Sequence, residues 1–272
     1  MKLNFWVKIT FISCLLLMAF GCQNKEVSNS SNKTNSNKVS LTNAETEIPA
    51  PQRVNFESAD KVQIVGTFYE SPKANSPAVL MLHQWGDNRA SYDEFARKIQ
   101  AKGFGVLAID GRGFGESVKT TDGEKVGTDR DDETVRGMKA DVDNAFQFLT
   151  KQKNVDAQKI GIVGASYSSS LAMIYGAENK QVKAVALLSP GLNYFGNLPI
   201  EDAVKNYGDR HLLLVAADDD QNSAETVKRL KESVPNEKYA TQIYPRGEHG
   251  TGLFAANVGL EDLLEKFLTK SL

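Results

Sequence analysis

Residues that together could activate a hydroxyl group for nucleophilic attack follow short apolar runs at three places in the chain. They are Ser166, the aspartates at 218–220 and His249. A serine hydroxyl is a weak nucleophile at neutral pH and needs a histidine base, which a carboxylate orients. In a mostly parallel sheet, active groups gather at the carboxyl ends of the strands, so residues that follow different strands can meet there. The chain therefore has the residue types for a nucleophilic serine site.

The elements that would position these residues alternate between strand and helix patterns. An exposed antiparallel hairpin is predicted first, because apolar and polar residues alternate over Val54–Glu57 and Val62–Tyr69. Continuous apolar runs, typical of strands buried on both faces, then predict six strands: Ala78–Leu82, Gly105–Ile109, Ile160–Val163, Val182–Leu188, Leu212–Ala216 and Thr241–Tyr244. Helical periodicity predicts five helices: Tyr92–Ala101, Val135–Thr150, Ser168–Ala177, Ala224–Ser233 and Leu260–Leu272. This order predicts an α/β fold, in which helices cover both faces of a mostly parallel central sheet.

The turn around the serine carries a family resemblance. Gly164-Ala165-Ser166-Tyr167-Ser168 resembles the Gly-x-Ser-x-Gly nucleophile elbow of the α/β-hydrolase family. The turn is so tight that only small residues fit two positions before and two positions after the serine; here these are glycine and serine. The alternative is an ordinary serine N-cap on a helix.

The acid and the base follow in the order that this resemblance implies, which is serine, then acid, then histidine. The late His-Gly-Thr, beginning at His249, resembles the family's catalytic histidine loop. The family pattern of a small residue, two arbitrary positions and an aspartate starts at Ala217 and favours Asp220 as the acid. Asp218, closer to the strand, stays open as an alternative, while Asp219 is the weakest candidate.

Acyl transfer also needs hydrogen-bond donors for the negative charge that develops on the carbonyl oxygen. The resemblance implies the backbone N–H of Tyr167 as one donor of this oxyanion hole. The loop that begins at His83 resembles the family's His-Gly-x-Gly oxyanion loop, with Gln84 in place of the first glycine. The N–H of Trp85 is therefore expected to be the second donor, with that of Gln84 as the alternative, and His83 itself is expected to be structural.

A fourth motif extends the resemblance over about 54–272. The segment at 110–117 resembles the Asp-x-Arg-Gly-x-Gly-x-Ser turn of α/β-hydrolases, in which it is structural, so Asp110 and Arg112 are expected to belong to the scaffold. Many family members carry a helical cap where this chain has only Ser189–His211. We therefore expect no large cap domain, an open site, and Trp85, Tyr194 and Phe195 as its apolar walls.

The resemblance implies a serine hydrolase that cleaves small-molecule carboxylic esters through an acyl-enzyme and without a cofactor. Ser166 disfavours dehalogenases, which use an aspartate nucleophile, and dienelactone hydrolases proper, which use a cysteine, so the dienelactone hydrolase-like and esterase branch is expected. A peptidase or an acyltransferase would use the same residues. A non-catalytic surface lipoprotein on a hydrolase scaffold is the alternative of a different class.

Composition excludes or disfavours several other classes. The formal net charge of −2 gives no basic excess, so nucleic acid is not an expected partner. Both cysteines lie in the first 22 residues, which leaves the rest of the chain without a disulfide framework or a cysteine-ligated metal, and only three histidines occur. No metal site is predicted, and we expect a monomer.

The N-terminal residues have the pattern of an export signal. Lys2 and Lys8 precede an apolar run that is shorter than a membrane-spanning helix requires, and Cys22 follows a small glycine. The pattern resembles a bacterial lipoprotein signal over residues 1–21, with Cys22 as the lipidated residue; a plain cleaved signal is the alternative.

From Gln23 to Glu47, 14 of 25 residues are Asn, Ser or Thr, a composition that predicts a disordered tether. We expect residues 22–50 to be the tether and 51–272 the catalytic domain, held at the membrane of the bacterial cell envelope.

Overall fold

The computed structural model describes residues 47–233 and 237–272. Its centre is an eight-stranded sheet with the spatial order β1-β2-β4-β3-β5-β6-β9-β10. The strands of this sheet are β1 (Gln52–Glu57), β2 (Gln63–Tyr69), β3 (Ser76–Leu82), β4 (Gly105–Ile109), β5 (Val155–Ala165), β6 (Val182–Leu188), β9 (His211–Ala217) and β10 (Tyr239–Tyr244). A separate two-stranded ribbon consists of β7 (Asn193–Tyr194) and β8 (Leu198–Pro199).

The sheet is mostly parallel, as the sequence predicts. The strand β1 pairs with β2 in antiparallel orientation, and β2 pairs in the same way with β4. Every other pairing in the sheet is parallel. The carboxyl ends of β3, β5, β6, β9 and β10 therefore lie at one edge of the sheet.

Helices pack against both faces of the sheet, which confirms the predicted layers. Their bounds are α1 (Asp93–Ala101), α2 (Asp132–Thr150), α3 (Tyr167–Glu178), α4 (Glu201–Asn206), α5 (Gln221–Ser233), α6 (Gly252–Ala255) and α7 (Leu260–Ser271). One apolar core joins the sheet to α2, α3 and α5, and its buried residues include Val142, Leu171 and Val227. The other core joins the sheet to α1 and α7 through residues such as Ile99 and Leu264.

Several stretches differ from the prediction, among them the start of β5 and the connection after β6. The strand β5 begins at Val155, five residues earlier than the apolar run, because its first part contains residues such as Gln158 and Lys159 that are exposed and not apolar. The connection after β6 holds the ribbon β7–β8 and the short helix α4. Strands of two residues and a helix of six are too short for a hydrophobic period to be recognised in the sequence.

A buried ion pair joins the outer hairpin to the rest of the fold. Arg112, after β4, donates from Nε to Asp141 Oδ2 at 2.7 Å and from Nη2 to Asp141 Oδ1 at 2.9 Å, and both side chains are buried. Arg112 also pairs with Asp60 in the β1–β2 turn at 2.6 Å, and Ser58 donates to Asp141. Asp110 is fully buried and accepts from the backbone N–H groups of Arg89 and Glu116, each at 2.8 Å. Both residues thus make the contacts expected of scaffold residues.

No helix among residues 47–233 and 237–272 is long and apolar enough to cross a membrane. The expected signal at 1–21 and Cys22 lie outside the described residues, as does most of the expected tether.

We expect Asp141→Ala to lower the free energy of unfolding by about 3–5 kcal/mol, because it removes the buried partner of the Arg112 guanidinium and leaves only the pair with the half-exposed Asp60. The matched control is Asp202→Ala, which removes an exposed ion pair with Lys205 and should cost less than about 1 kcal/mol. Urea unfolding of the full-length chain measures both values. Equal losses in the two variants would contradict a special role for the buried pair.

Candidate active site

A strained turn presents Ser166 between β5 and α3. Ser166 has φ 57° and ψ −129°, a backbone conformation that L-residues rarely adopt. Its N–H donates to the carbonyl of Leu188 on the neighbouring strand at 2.8 Å. A Cβ atom on Gly164 would lie 2.4 Å from the carbonyl oxygen of Ser168, so the turn requires glycine at 164. This geometry is that of the elbow that the sequence resembles, and an ordinary N-cap with extended backbone does not fit it.

The imidazole of His249 bridges the serine and one of the three aspartates. His249 Nε2 lies 2.7 Å from Ser166 Oγ, and His249 Nδ1 lies 2.7 Å from Asp220 Oδ2. Because a carboxylate can only accept, Nδ1 carries the hydrogen, and the lone pair of Nε2 is then available to the serine hydroxyl in the neutral ring. The arrangement can take a proton from Ser166.

The three aspartates after β9 occupy different environments. Asp220 is partly buried and reaches His249, whereas Asp218 and Asp219 are exposed. The carboxylate of Asp219 accepts from the N–H of Gly247 at 3.1 Å, which ties its loop to the loop after β10. Of the three, Asp220 is the one whose carboxylate contacts the imidazole.

The surroundings of Asp220 favour its ionised form. Burial acts to raise the pKa of Asp220, but hydrogen bonds from His249, Ser223 and Ser189 outweigh it and hold the pKa below its usual value. The carboxylate is therefore charged at neutral pH and can stabilise an imidazolium on His249.

The backbone N–H groups expected to form the oxyanion hole make no hydrogen bond within the described residues. They are those of Tyr167, Gln84 and Trp85. Tyr167 is the first residue of α3, where a backbone N–H has no partner within the helix. Neither candidate for the second donor in the loop after β3 is thus engaged in another hydrogen bond among residues 47–233 and 237–272.

Aromatic side chains pack around the ring of Trp85. The ring of Trp85 packs edge-on against Phe114 and Phe195, with centroid distances of 4.9 Å to each, and against Tyr167 at 5.4 Å. The guanidinium of Arg130 lies over the rings of Trp85 and Phe195, 4.5 and 4.8 Å from their centroids. Two of the expected apolar walls, Trp85 and Phe195, therefore belong to one aromatic cluster.

The third expected wall, Tyr194, lies beside this cluster, with its ring centroid 6.2 Å from that of Phe195, and it lines an open cleft of about 700 Å³. His249 and Asp220 line this cleft together with polar residues that include Asn193 and Asn222. No cluster of three or more histidine, cysteine, aspartate or glutamate side chains suited to a metal occurs among the described residues.

Sequence reasoning missed the side chains that fix the loop that carries His249. Ser189, at the end of β6, is fully buried, accepts from the N–H of Gly250 at 2.8 Å and contributes to the hydrogen bonding of Asp220. Thr251 donates from its hydroxyl to Asp87 at 2.8 Å. The one signal for Ser189 in the sequence is its position directly after a predicted strand.

A comparison with curated proteins gives matches below 30% identity. The thiohydrolase aneE of Aspergillus aculeatus is 28% identical over 138 residues, which are 50% of this chain and 41% of that protein. This chain therefore spans less than half the length of that relative.

Solved structures share the fold at low sequence identity. The dienelactone hydrolase of Anabaena variabilis is 19% identical with a TM-score of 0.60 and covers 82% of this chain and 99% of its own. Acetyl xylan esterase 1 of a Thermoanaerobacterium species is 17% identical with a TM-score of 0.62, over 82% of this chain and 88% of its own. These similarities establish the α/β-hydrolase fold. The sequence profile of the dienelactone hydrolase family matches residues 64–257, more than two thirds of the chain, and the chain belongs to that family.

Proposed function

We propose that the protein is a serine hydrolase that cleaves carboxylic esters of small molecules through an acyl-enzyme. The observation that carries the proposal is the pair of 2.7 Å contacts that link Ser166 to His249 and His249 to Asp220. Membership of the dienelactone hydrolase family and a thiohydrolase among the relatives support hydrolysis of an acyl bond in general. The ester preference and the roles of the individual residues are the proposed part.

The first half of the reaction forms the acyl-enzyme. Ser166 Oγ attacks the carbonyl carbon while its proton passes to His249 Nε2, and the C=O electron pair moves to the carbonyl oxygen. The N–H groups of Tyr167 and Trp85, or of Gln84 in place of Trp85, bind that oxyanion. When the tetrahedral intermediate collapses, the ester C–O bond breaks, and the leaving alcohol takes the proton from Nε2.

The second half restores the serine. Water attacks the acyl carbon and gives a proton to His249 Nε2, and the carboxylic acid leaves as Ser166 Oγ recovers that proton. Asp220 holds the imidazole with its hydrogen on Nδ1 throughout and stabilises the imidazolium. No cofactor enters this scheme.

We expect a fluorophosphonate probe to label the full-length wild-type chain and not the Ser166→Ala variant, because only an activated serine reacts with it. Ser170→Ala is the matched control, since Ser170 is a buried serine one turn along α3, and it should retain labelling. Intact-protein mass spectrometry measures the adduct. Folded wild-type protein that stays unlabelled would favour the non-catalytic lipoprotein, and labelling that persists in Ser166→Ala would move the nucleophile elsewhere.

The assignment of the acid has its own test. Asp220→Asn should lower kcat for 4-nitrophenyl acetate by about 10⁴-fold, because the amide no longer fixes the tautomer of His249. Asp218→Asn, at an exposed position two residues away, should leave kcat within about twofold of wild type, since surface changes away from the site have small effects. A fully active Asp220→Asn beside an inactive Asp218→Asn would reassign the acid to Asp218.

We also propose that the enzyme is a lipoprotein of the bacterial cell envelope, anchored through Cys22. The support is the sequence pattern at 1–22 and the polar segment that follows it. Two or more acyl chains hold a protein stably at a membrane, whereas one chain binds marginally.

The anchor predicts a defined mature mass. Expressed in a bacterium that processes lipoproteins, the chain should begin at Cys22 and carry the added mass of a diacylglyceryl group. Cys22→Ser should lose this addition and leave the membrane fraction. A wild-type product that is cut at another position and unmodified would refute the anchor.

A further inference from the structure

Two side chains stand where the motifs of α/β-hydrolases hold glycine. Ser168 takes the place of the second elbow glycine, and Gln84 that of the first glycine in the oxyanion loop. Glycine has no side chain with which to make a hydrogen bond, whereas both of these residues make one within the site. The two departures therefore add contacts that the motif itself does not provide.

Ser168 joins the elbow to the oxyanion loop. Its side chain is buried, and Oγ donates to the carbonyl oxygen of His83 at 2.7 Å. The bond connects the first turn of α3 with the loop that follows β3. The direction of the His83 carbonyl is thereby set by a residue two positions from Ser166.

The ring of His83 holds the next carbonyl of the loop. His83 Nδ1 lies 2.6 Å from the carbonyl oxygen of Gln84, and Nε2 accepts from the N–H of Gly111 at 2.8 Å. Because a carbonyl can only accept, Nδ1 carries the hydrogen and Nε2 has none. Burial lowers the pKa of His83, which agrees with a neutral, structural ring.

The hydrogen bonds from Ser168 to the His83 carbonyl and from the His83 ring to the Gln84 carbonyl also determine where the backbone donors point. The described residues contain no cis peptide bond, and in a planar trans peptide the C=O and the N–H point in opposite directions. With the His83 carbonyl held by Ser168, the N–H of Gln84 is fixed. With the Gln84 carbonyl held by the His83 ring, the N–H of Trp85 is fixed as well.

The side chain of Gln84 joins the same loop to the loop of the base. Gln84 Oε1 accepts from the N–H of Thr251 at 3.1 Å. Gly250, directly after His249, has φ 60°, and a Cβ atom there would lie 2.1 Å from Gln84 Oε1. The amide therefore occupies the space above Gly250 and holds the backbone that follows the base.

We infer that Gln84 and Ser168 are positioning residues. Gln84 ties the oxyanion loop to the loop that carries His249, and Ser168 ties it to the elbow. The two bonds keep the backbone donors in place relative to Ser166. This inference rests on the proposed serine chemistry. Neither side chain reacts; each acts through the backbone that it holds. Donors that are oriented before the reaction are worth more than donors that must reorganise during it.

Ser168→Ala tests the elbow bond in the full-length protein. The kcat for hydrolysis of 4-nitrophenyl acetate should fall by about 10-fold to about 100-fold, and KM should stay within about twofold of wild type. A displacement of the backbone donors by about 1 Å can cost that much. Ser170→Ala is the control, because the Ser170 hydroxyl is buried on the same helix and has no hydrogen-bond partner among the described residues, so kcat should not change. Should Ser168→Ala fold poorly, Ser168→Gly, which restores the residue of the family motif, carries the same test and the same expected loss.

Gln84→Met tests the second bond, since it keeps the length of the side chain and removes the acceptor. It should also lower kcat about 10-fold at unchanged KM, with a melting temperature within a few degrees of wild type. Wild-type kcat in both Ser168→Ala and Gln84→Met would overturn the inference while leaving the proposed hydrolase intact. Wild-type protein that neither turns over the ester nor reacts with the fluorophosphonate would instead overturn the proposed function, and this inference with it.

Discussion

The geometry of the site depends on the backbone of Ser166. A non-glycine residue at positive φ costs on the order of 1–3 kcal/mol and persists only where its surroundings determine it. Here β5 is a central strand, hydrogen-bonded on both sides, and α3 packs on the sheet through buried residues such as Leu171. The close approach of Gly164 to Ser168 lets strand turn into helix within one residue. Rigid elements on both sides of the turn thus maintain the strain.

The parallel sheet explains how residues far apart in the sequence come together. Ser166, Asp220 and His249 belong to loops after β5, β9 and β10, and the loop with the proposed oxyanion donors follows β3. Buried side chains on both faces fix the strands, so the loops at their carboxyl ends start from set positions. Side-chain bonds between loops, such as those of Ser189 with Gly250 and of Thr251 with Asp87, complete the arrangement. The fold brings the residues near one another, and these polar contacts set the final distances.

Much of the fold and of the candidate site could be predicted from the sequence, because the central strands are continuous apolar runs and the motifs stand at their ends. Periodicity could not reveal the ribbon at 193–199 or the early start of β5, since those stretches are short or polar. Three consecutive aspartates have the same side chain, so the choice of Asp220 could be made only by motif spacing. Contacts such as that of Ser168 with His83 could not be predicted, because they join residues 85 positions apart and no local sequence pattern indicates them.

The openness of the site bears on which acceptor takes the acyl group. The side chain of His249 is 44% exposed and lines the open cleft, so bulk water reaches the base on which the second half of the proposed reaction depends. A dedicated acyltransferase must keep water from an acyl-enzyme, which calls for a closed site. The connection after β6 contains only a ribbon of two strands, of two residues each, and a six-residue helix, and the cleft that it lines is open. Water, at its bulk concentration, is then the acceptor that the architecture favours, and the site suits hydrolysis better than transfer.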